Sequence, residues 1–212
     1  VNLVVTLGFE EKYALRALMR SSLGRGDRFI IILPDDKHPR REKAYNFIVE
    51  EIVKRVFPEL EVERVEVNVR DFYGAIHRIR ELLKGLKGKI VLNVSGGLKI
   101  LILEVLAAAS SLGLEDAEVE IEDIDSEDID VREAPFVRAP LKVMYPVKLD
   151  DDDLEILRRA REKGALTLKE ATEEFRVPKA TLWRRLNRLV EHGLLEKADD
   201  TYHLSELGRS RI

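Results

Sequence analysis

Two stretches of this 212-residue chain carry residue types at spacings that suit chemistry. The first is Ser95-Gly96-Gly97-Leu98-Lys99, which follows the apolar run Lys89 to Val94 and precedes a long apolar helix pattern. Paired glycines let a backbone approach a phosphate closely. The helix that follows offers free N–H groups, and Lys99 adds a positive charge. Thr6-Leu7-Gly8-Phe9-Glu10 follows the first apolar run in the same way. An ordinary strand-to-helix turn is the competing reading of a glycine pair.

The second stretch is the segment opened by Pro178 and Lys179, with Leu182, Leu186, Leu189 and Val190 as a buried stripe at helical spacing. Ala180, Thr181, Arg184, Asn187 and Arg188 fall on the opposite face, flanked by Lys179, Trp183 and Arg185. A helix of this kind can enter the major groove of double-stranded DNA, where arginine reads guanine edges and other cations hold phosphates. The alternative is a solvated amphipathic helix in a protein-interaction module. Local positive charge in a chain of net charge −4 favours DNA.

The elements that must position these residues follow from periodicity. Asn2 to Gly8 and Asp27 to Leu33 are buried-type strands, and Leu60 to Val69 alternates as a half-exposed edge strand. Lys89 to Val94 and Ala117 to Ile124 are further strands, and Pro140 to Val147 is expected to be a sixth. Helices are expected over Glu10 to Ser22, His38 to Phe57, Asp71 to Leu83 and Leu98 to Leu112, the third capped by Asp71 and ended by Gly85. The alternation predicts an α/β fold: a doubly wound, Rossmann-like parallel sheet over residues 1–147. Ligands of such sheets sit at strand carboxyl ends, where both glycine turns fall. The helix after Ser95-Gly96-Gly97 is apolar almost all round, which implies a second partner surface, most simply another subunit.

Residues 148–212 read as a small winged helix-turn-helix domain. Leu154, Leu157 and Ala160 share one helix face, with Asp150 to Asp153 at its start. Thr167 and Glu170 form a capping box before Leu168, Ala171 and Phe175, and Arg176 and Val177 make the turn. Gly193 ends the recognition helix, and Asp199-Asp200 is the expected wing tip before Thr201-Tyr202-His203-Leu204.

Composition narrows the chemistry. The absence of cysteine removes disulfides, thiolate zinc sites and cysteine nucleophiles, and fits a cytoplasmic protein. Charged residues make up 36%, a bias that suits a heat-adapted surface. No run reaches the roughly 20 apolar residues that span a bilayer, since Lys99 and Glu104 interrupt the most apolar one. The acidic residues Asp123, Asp125, Glu127, Asp128 and Asp130 lack the glycine and glutamate that a calcium loop needs, because Asp128 and Ala134 hold those places. The histidines show no zinc spacing, and no metal site is expected. His38 and its neighbours Asp35, Asp36, Lys37 and Arg40 are near enough to the second strand to reach the crevice, but a polar loop is the preferred reading.

Asn93-Val94-Ser95-Gly96-Gly97-Leu98-Lys99, with Thr6-Leu7-Gly8-Phe9 and the C-terminal winged helix, resembles the archaeal CRISPR-associated transcriptional regulators. These pair an N-terminal CRISPR-associated Rossmann-fold (CARF) domain with a DNA-binding domain. The resemblance covers essentially the whole chain, although the family often has threonine where Leu98 stands. It implies a homodimer that senses a cyclic oligoadenylate, with cyclic tetra-adenylate as the expected effector and no resident cofactor. The ligand residues carried over are Thr6, Gly8, Phe9, Ser95, Gly96, Gly97 and Lys99. Double-stranded DNA is the expected second partner, and no catalytic residue is assigned. The alternatives are a ring nuclease that uses the ligand's own 2′-hydroxyl, with Ser95 and Lys99 stabilising charge, and a DNA-binding protein with a vestigial sensor.

Overall fold

A computed structural model describes residues 1–114, 116–122, 135–144, 147–175 and 177–212. The acidic stretch from Asp123 to Asp130, Ala134 and the turn residue Arg176 lie outside these residues. The chain divides into two compact units, Val1–Tyr145 and Pro146–Ile212.

The first unit is a six-stranded sheet in the order β3-β2-β1-β4-β5-β6. Strands β1 (Asn2–Thr6), β2 (Arg28–Pro34), β3 (Glu61–Val67), β4 (Ile90–Asn93) and β5 (Glu118–Glu122) are parallel. The side-chain period of two sends Leu3, Val5, Phe29, Ile31 and Leu33 to one face. There they pack on α1 (Lys12–Arg20), α2 (Pro39–Asn46) and the π-helical continuation of α2, Phe47–Val53, which ends in α3 (Lys54–Val56). Val4, Ile30, Ile32, Leu92 and Val94 face the other way, onto α4 (Phe72–Lys84) and α5 (Lys99–Ser111). Two buried faces explain why β1 and β2 are uninterrupted apolar runs. Truncating a fully buried residue such as Ile31 to alanine costs about 2–5 kcal/mol. Strand β3 is an edge, as its alternation predicts.

The sixth strand departs from expectation. β6 spans Phe136–Pro140, not Pro140 to Val147, and pairs antiparallel with β5 from Glu122↔Phe136 to Glu118↔Pro140. Leu141–Met144 then forms a 3₁₀ turn. Four of the five β6 residues are exposed, so the strand lacks the apolar run that marks a buried one.

The second unit packs α6 (Asp151–Lys163), α7 (Leu168–Phe175), α8 (Lys179–Glu191) and the short α9 (Glu206–Arg209) on a three-stranded antiparallel sheet. That sheet comprises β7 (Leu166–Thr167), β8 (Leu195–Ala198) and β9 (Thr201–Leu204). Leu157, Ala160, Leu166, Leu182, Leu186, Leu189 and Tyr202 form its core. Thr167 and Glu170 close the expected capping box, with Glu170 N–H donating to Thr167 Oγ1 at 3.2 Å and Thr167 N–H to Glu170 Oε2 at 2.9 Å. Asp199, at φ 51°, turns the β8–β9 hairpin.

Candidate ligand crevice and candidate DNA interface

Strand order reverses between β1 and β4. The chain leaves β1 for α1 on one face and leaves β4 for α5 on the other, so a crevice opens at their carboxyl ends. Two backbone turns meet there. Thr6 is buried, and its Oγ1–H donates to the Gly96 carbonyl. A Cβ on Gly8 would stand 2.9 Å from the Gly97 nitrogen, and one on Gly96 would stand 3.0 Å from the Thr6 carbonyl oxygen. Gly97 adopts φ 96°, in the region glycine tolerates best. The glycines thus permit close backbone approach, the condition a phosphate site needs.

Asn93 supports the second turn from below. Its Oδ1 accepts the Ser95 N–H at 3.3 Å and its Nδ2 donates to Glu120 at 3.2 Å. Ser95 Oγ accepts the Glu122 N–H at 2.9 Å, tying the turn to β5. No side chain caps the first turn of α5.

The resulting cavity holds about 310 Å³ and is lined by Gly8, Phe9, Ser95, Gly96 and Gly97, with Leu98, Glu10, Tyr13 and Arg41. Five of the seven residues picked out from sequence therefore line it. Thr6 lies beneath as a buttress, and Lys99 is exposed at the start of α5, outside the lining. Sequence reasoning missed Arg41, Tyr13 and Glu10. It also set aside His38, whose ring centroid lies 4.4 Å from that of Phe9. The signal was available: β2 neighbours β1, so the segment leaving β2 falls over the same crevice.

Farther along α5, Glu104 is fully buried, and neither carboxylate oxygen has a hydrogen-bond partner among the described residues. Burial, with a smaller push from Asp71, raises its pKa to about 7. Ile100 and Leu103, on the same helix, are exposed, as is Tyr73 on α4.

In the second unit α8 presents Lys179, Ala180, Trp183 and Arg184 outward, with Thr181 and Asn187 half-buried. Arg184 lies along the helix, its Nε–H donating to the Ala180 carbonyl at 3.3 Å. A groove of about 350 Å³ runs between the α8 start and the hairpin, lined by Lys169, Lys179, Trp183, Lys197 and Tyr202 among others. Arg185 and Arg188 are engaged differently. Arg185 donates to Asp150 at 2.7 Å, Asp152 at 2.9 Å and Asp153 at 3.0 Å, and Arg188 pairs with the fully buried Asp153. The Arg185 guanidinium holds Asp150 down at about 2. The acids at the α6 start, which also close a capping box between Asp150 and Asp153, thus anchor α8 as well as complement the helix dipole.

This architecture pairs a Rossmann-like sheet that carries a glycine-laced crevice with a helix-turn-helix unit. Residues 1–132 match the Csa3 CRISPR-associated Rossmann-like domain, and the chain belongs to that family. Residues 150–198 match a helix-turn-helix domain. The two matches pair a CRISPR-associated Rossmann-like domain with a helix-turn-helix domain. An uncharacterized HTH-type transcriptional regulator of Pyrococcus horikoshii is 39% identical over 51 residues, which is 24% of this chain and 32% of that protein. The chain spans about a third of that relative's length.

Proposed function

We propose that the protein is a homodimeric regulator of CRISPR loci that senses a cyclic oligoadenylate, cyclic tetra-adenylate foremost, in the β1/β4 crevice and binds promoter DNA through α8. The observation that carries the reading is the close packing of Gly8 against Gly97 at the strand-order reversal, which leaves a backbone-lined cavity before the uncapped start of α5. Backbone N–H groups and a helix N-terminus favour phosphate there, and Lys99 adds attraction from outside the cavity. Exposed Ile100, Leu103 and Tyr73 form an apolar face that suits a second copy of the chain, so that two crevices would serve one ring. On α8, Lys179, Trp183 and Arg184 are the leading DNA contacts, with Thr181 and Asn187 beside them, whereas Arg185 and Arg188 chiefly hold the helix in place.

Coupling between sites requires that the ring favour one dimer geometry over another. Calorimetry with rings of three to six adenylates tests the reading, with one ring per dimer expected. Chromatography of the same mixtures is expected to return the ring intact. A parent protein that binds no ring of any size would remove the sensor function.

A further inference from the structure

We infer that Arg41 is an anion anchor of the crevice, donating from its Nε edge to a phosphodiester oxygen of the bound ligand. This deepens the nucleotide reading of the site and rests on it. Arg41 is 1% exposed, among the most buried large side chains of the molecule, and it lines the cavity with Gly8, Ser95, Gly96 and Gly97. Its Nη1–H donates to Asp36, whereas its Nε is buried without an acceptor among the described residues. Buried cations are ordinarily supplied with partners for their donors, because each unmet one keeps its desolvation cost. The Nε edge of a guanidinium presents two parallel N–H bonds, a geometry that matches two phosphodiester oxygens.

The surroundings fix this group. His38 caps α2, its Nδ1 accepting the Arg40 N–H at 3.3 Å, and Pro39 takes the first helical position. That places Arg40 and Arg41 in the first turn of α2, where the helix dipole disfavours cations. Neither helix stability nor core packing asks for arginine there. The Arg41 guanidinium carbon lies 5.1 Å from the Phe9 ring centroid, and that of Arg40 lies 5.3 Å away. Phe9 in turn rests on His38. An aromatic pair carrying two cations beside a glycine-lined cavity matches the chemistry of a nucleotide: base against the rings, phosphate against the guanidinium.

The test uses the full chain with Arg41→Gln, Arg41→Lys and Arg41→Met, titrated calorimetrically with cyclic tetra-adenylate, the other ring sizes and linear diadenylate. Arg41→Gln and Arg41→Met are expected to bind about 10- to 100-fold more weakly than the parent. Arg41→Lys should recover only part of the loss, because ammonium keeps the charge without the paired edge. Arg41→Met should melt no lower than the parent, since it removes a buried, incompletely bonded cation. Should the variants misfold, the ¹⁵N–¹H resonance of Arg41 Nε in the parent replaces them, and it must shift when ligand is added. Folded variants that bind like the parent, or an unmoved resonance at saturation, overturn the role of Arg41 and leave the crevice reading intact. A parent that binds linear diadenylate but no ring overturns the ring reading, and Arg41 is then judged on the linear ligand. A parent that binds none of these probes overturns both.

Discussion

The crevice and the recognition helix use arginine in opposite ways. Arg41 is buried with a donor left unmet among the described residues, beside a cavity lined in part by glycine backbone. Arg185 and Arg188 sit on a half-exposed helix flank, with their charge answered by Asp150, Asp152 and Asp153. The first arrangement lowers stability where a ligand can repay it, and the second spends charge on holding two helices together. The contrast teaches that a cation's position in a helical wheel does not reveal its role. What decides is how fully neighbouring carboxylates meet its donors: Asp36 reaches only one edge of Arg41, whereas three aspartates surround Arg185.

Four outcomes probe this contrast, the largest first. Asp153→Ala removes the buried carboxylate shared by Arg185 and Arg188 together with half of the α6 capping box. It is expected to destabilise the second unit by about 2–4 kcal/mol in urea unfolding, from the lost cap and the lost charged hydrogen bonds. A loss below 1 kcal/mol would mean the arginines are free to meet DNA. Gly8→Ala forces a methyl group against the Gly97 backbone and is expected to cost about 1–3 kcal/mol and to abolish ring binding. Binding that survives in a stable Gly8→Ala protein would relocate the site. Arg184→Ala is expected to weaken operator binding by about 1–3 kcal/mol, measured by fluorescence anisotropy. Arg188→Ala should act mainly through stability, and equal affinity losses in two equally stable variants would erase the division drawn between them.

A last outcome concerns Glu104, a buried carboxyl without a hydrogen-bond partner among the described residues. Its folded-state pKa, at about 7, lies above the ordinary 4.5, so the folded state binds the proton more tightly than the unfolded one. The stabilising linkage is full below pH 4.5 and is lost as pH rises through 7. Glu104→Gln should therefore raise the melting temperature at pH 8 and leave it nearly unchanged at pH 4.5. An equal rise at both values would point to packing instead of titration.

Much of this was readable in the sequence. Buried strands announce themselves by continuous apolar runs, and β1, β2 and β4 lie within a residue or two of the expected bounds. The position of the glycine turns was readable because Gly96-Gly97 falls between an apolar strand run and an apolar helix, although an ordinary turn was the competing reading of the pair. Strand β6 was misplaced because Val143 to Val147 looks more apolar than Phe136-Val137-Arg138-Ala139-Pro140, whose order comes from pairing with β5. The π-helical winding of Phe47–Val53 leaves no mark in residue periodicity. Arg41 escaped notice because a cation near the start of a polar helix is ordinary until Phe9, from another strand end, is set beside it. Arg185 and Arg188 looked like groove-facing charges for the same reason: their acid partners lie more than 30 residues upstream.

The anchoring of Arg185 and Arg188 also bears on the ionic atmosphere of DNA. A duplex sheds about 0.9 condensed cation for each phosphate a protein neutralises, and affinity falls with salt in proportion. Two guanidinium groups already balanced by carboxylates release few of those ions. On the DNA-binding reading proposed above, the outward cations Lys169, Lys179, Arg184 and Lys197, which make no salt bridge among the described residues, carry that exchange instead. On that reading operator binding is expected to respond to salt less steeply than a count of all six cations predicts.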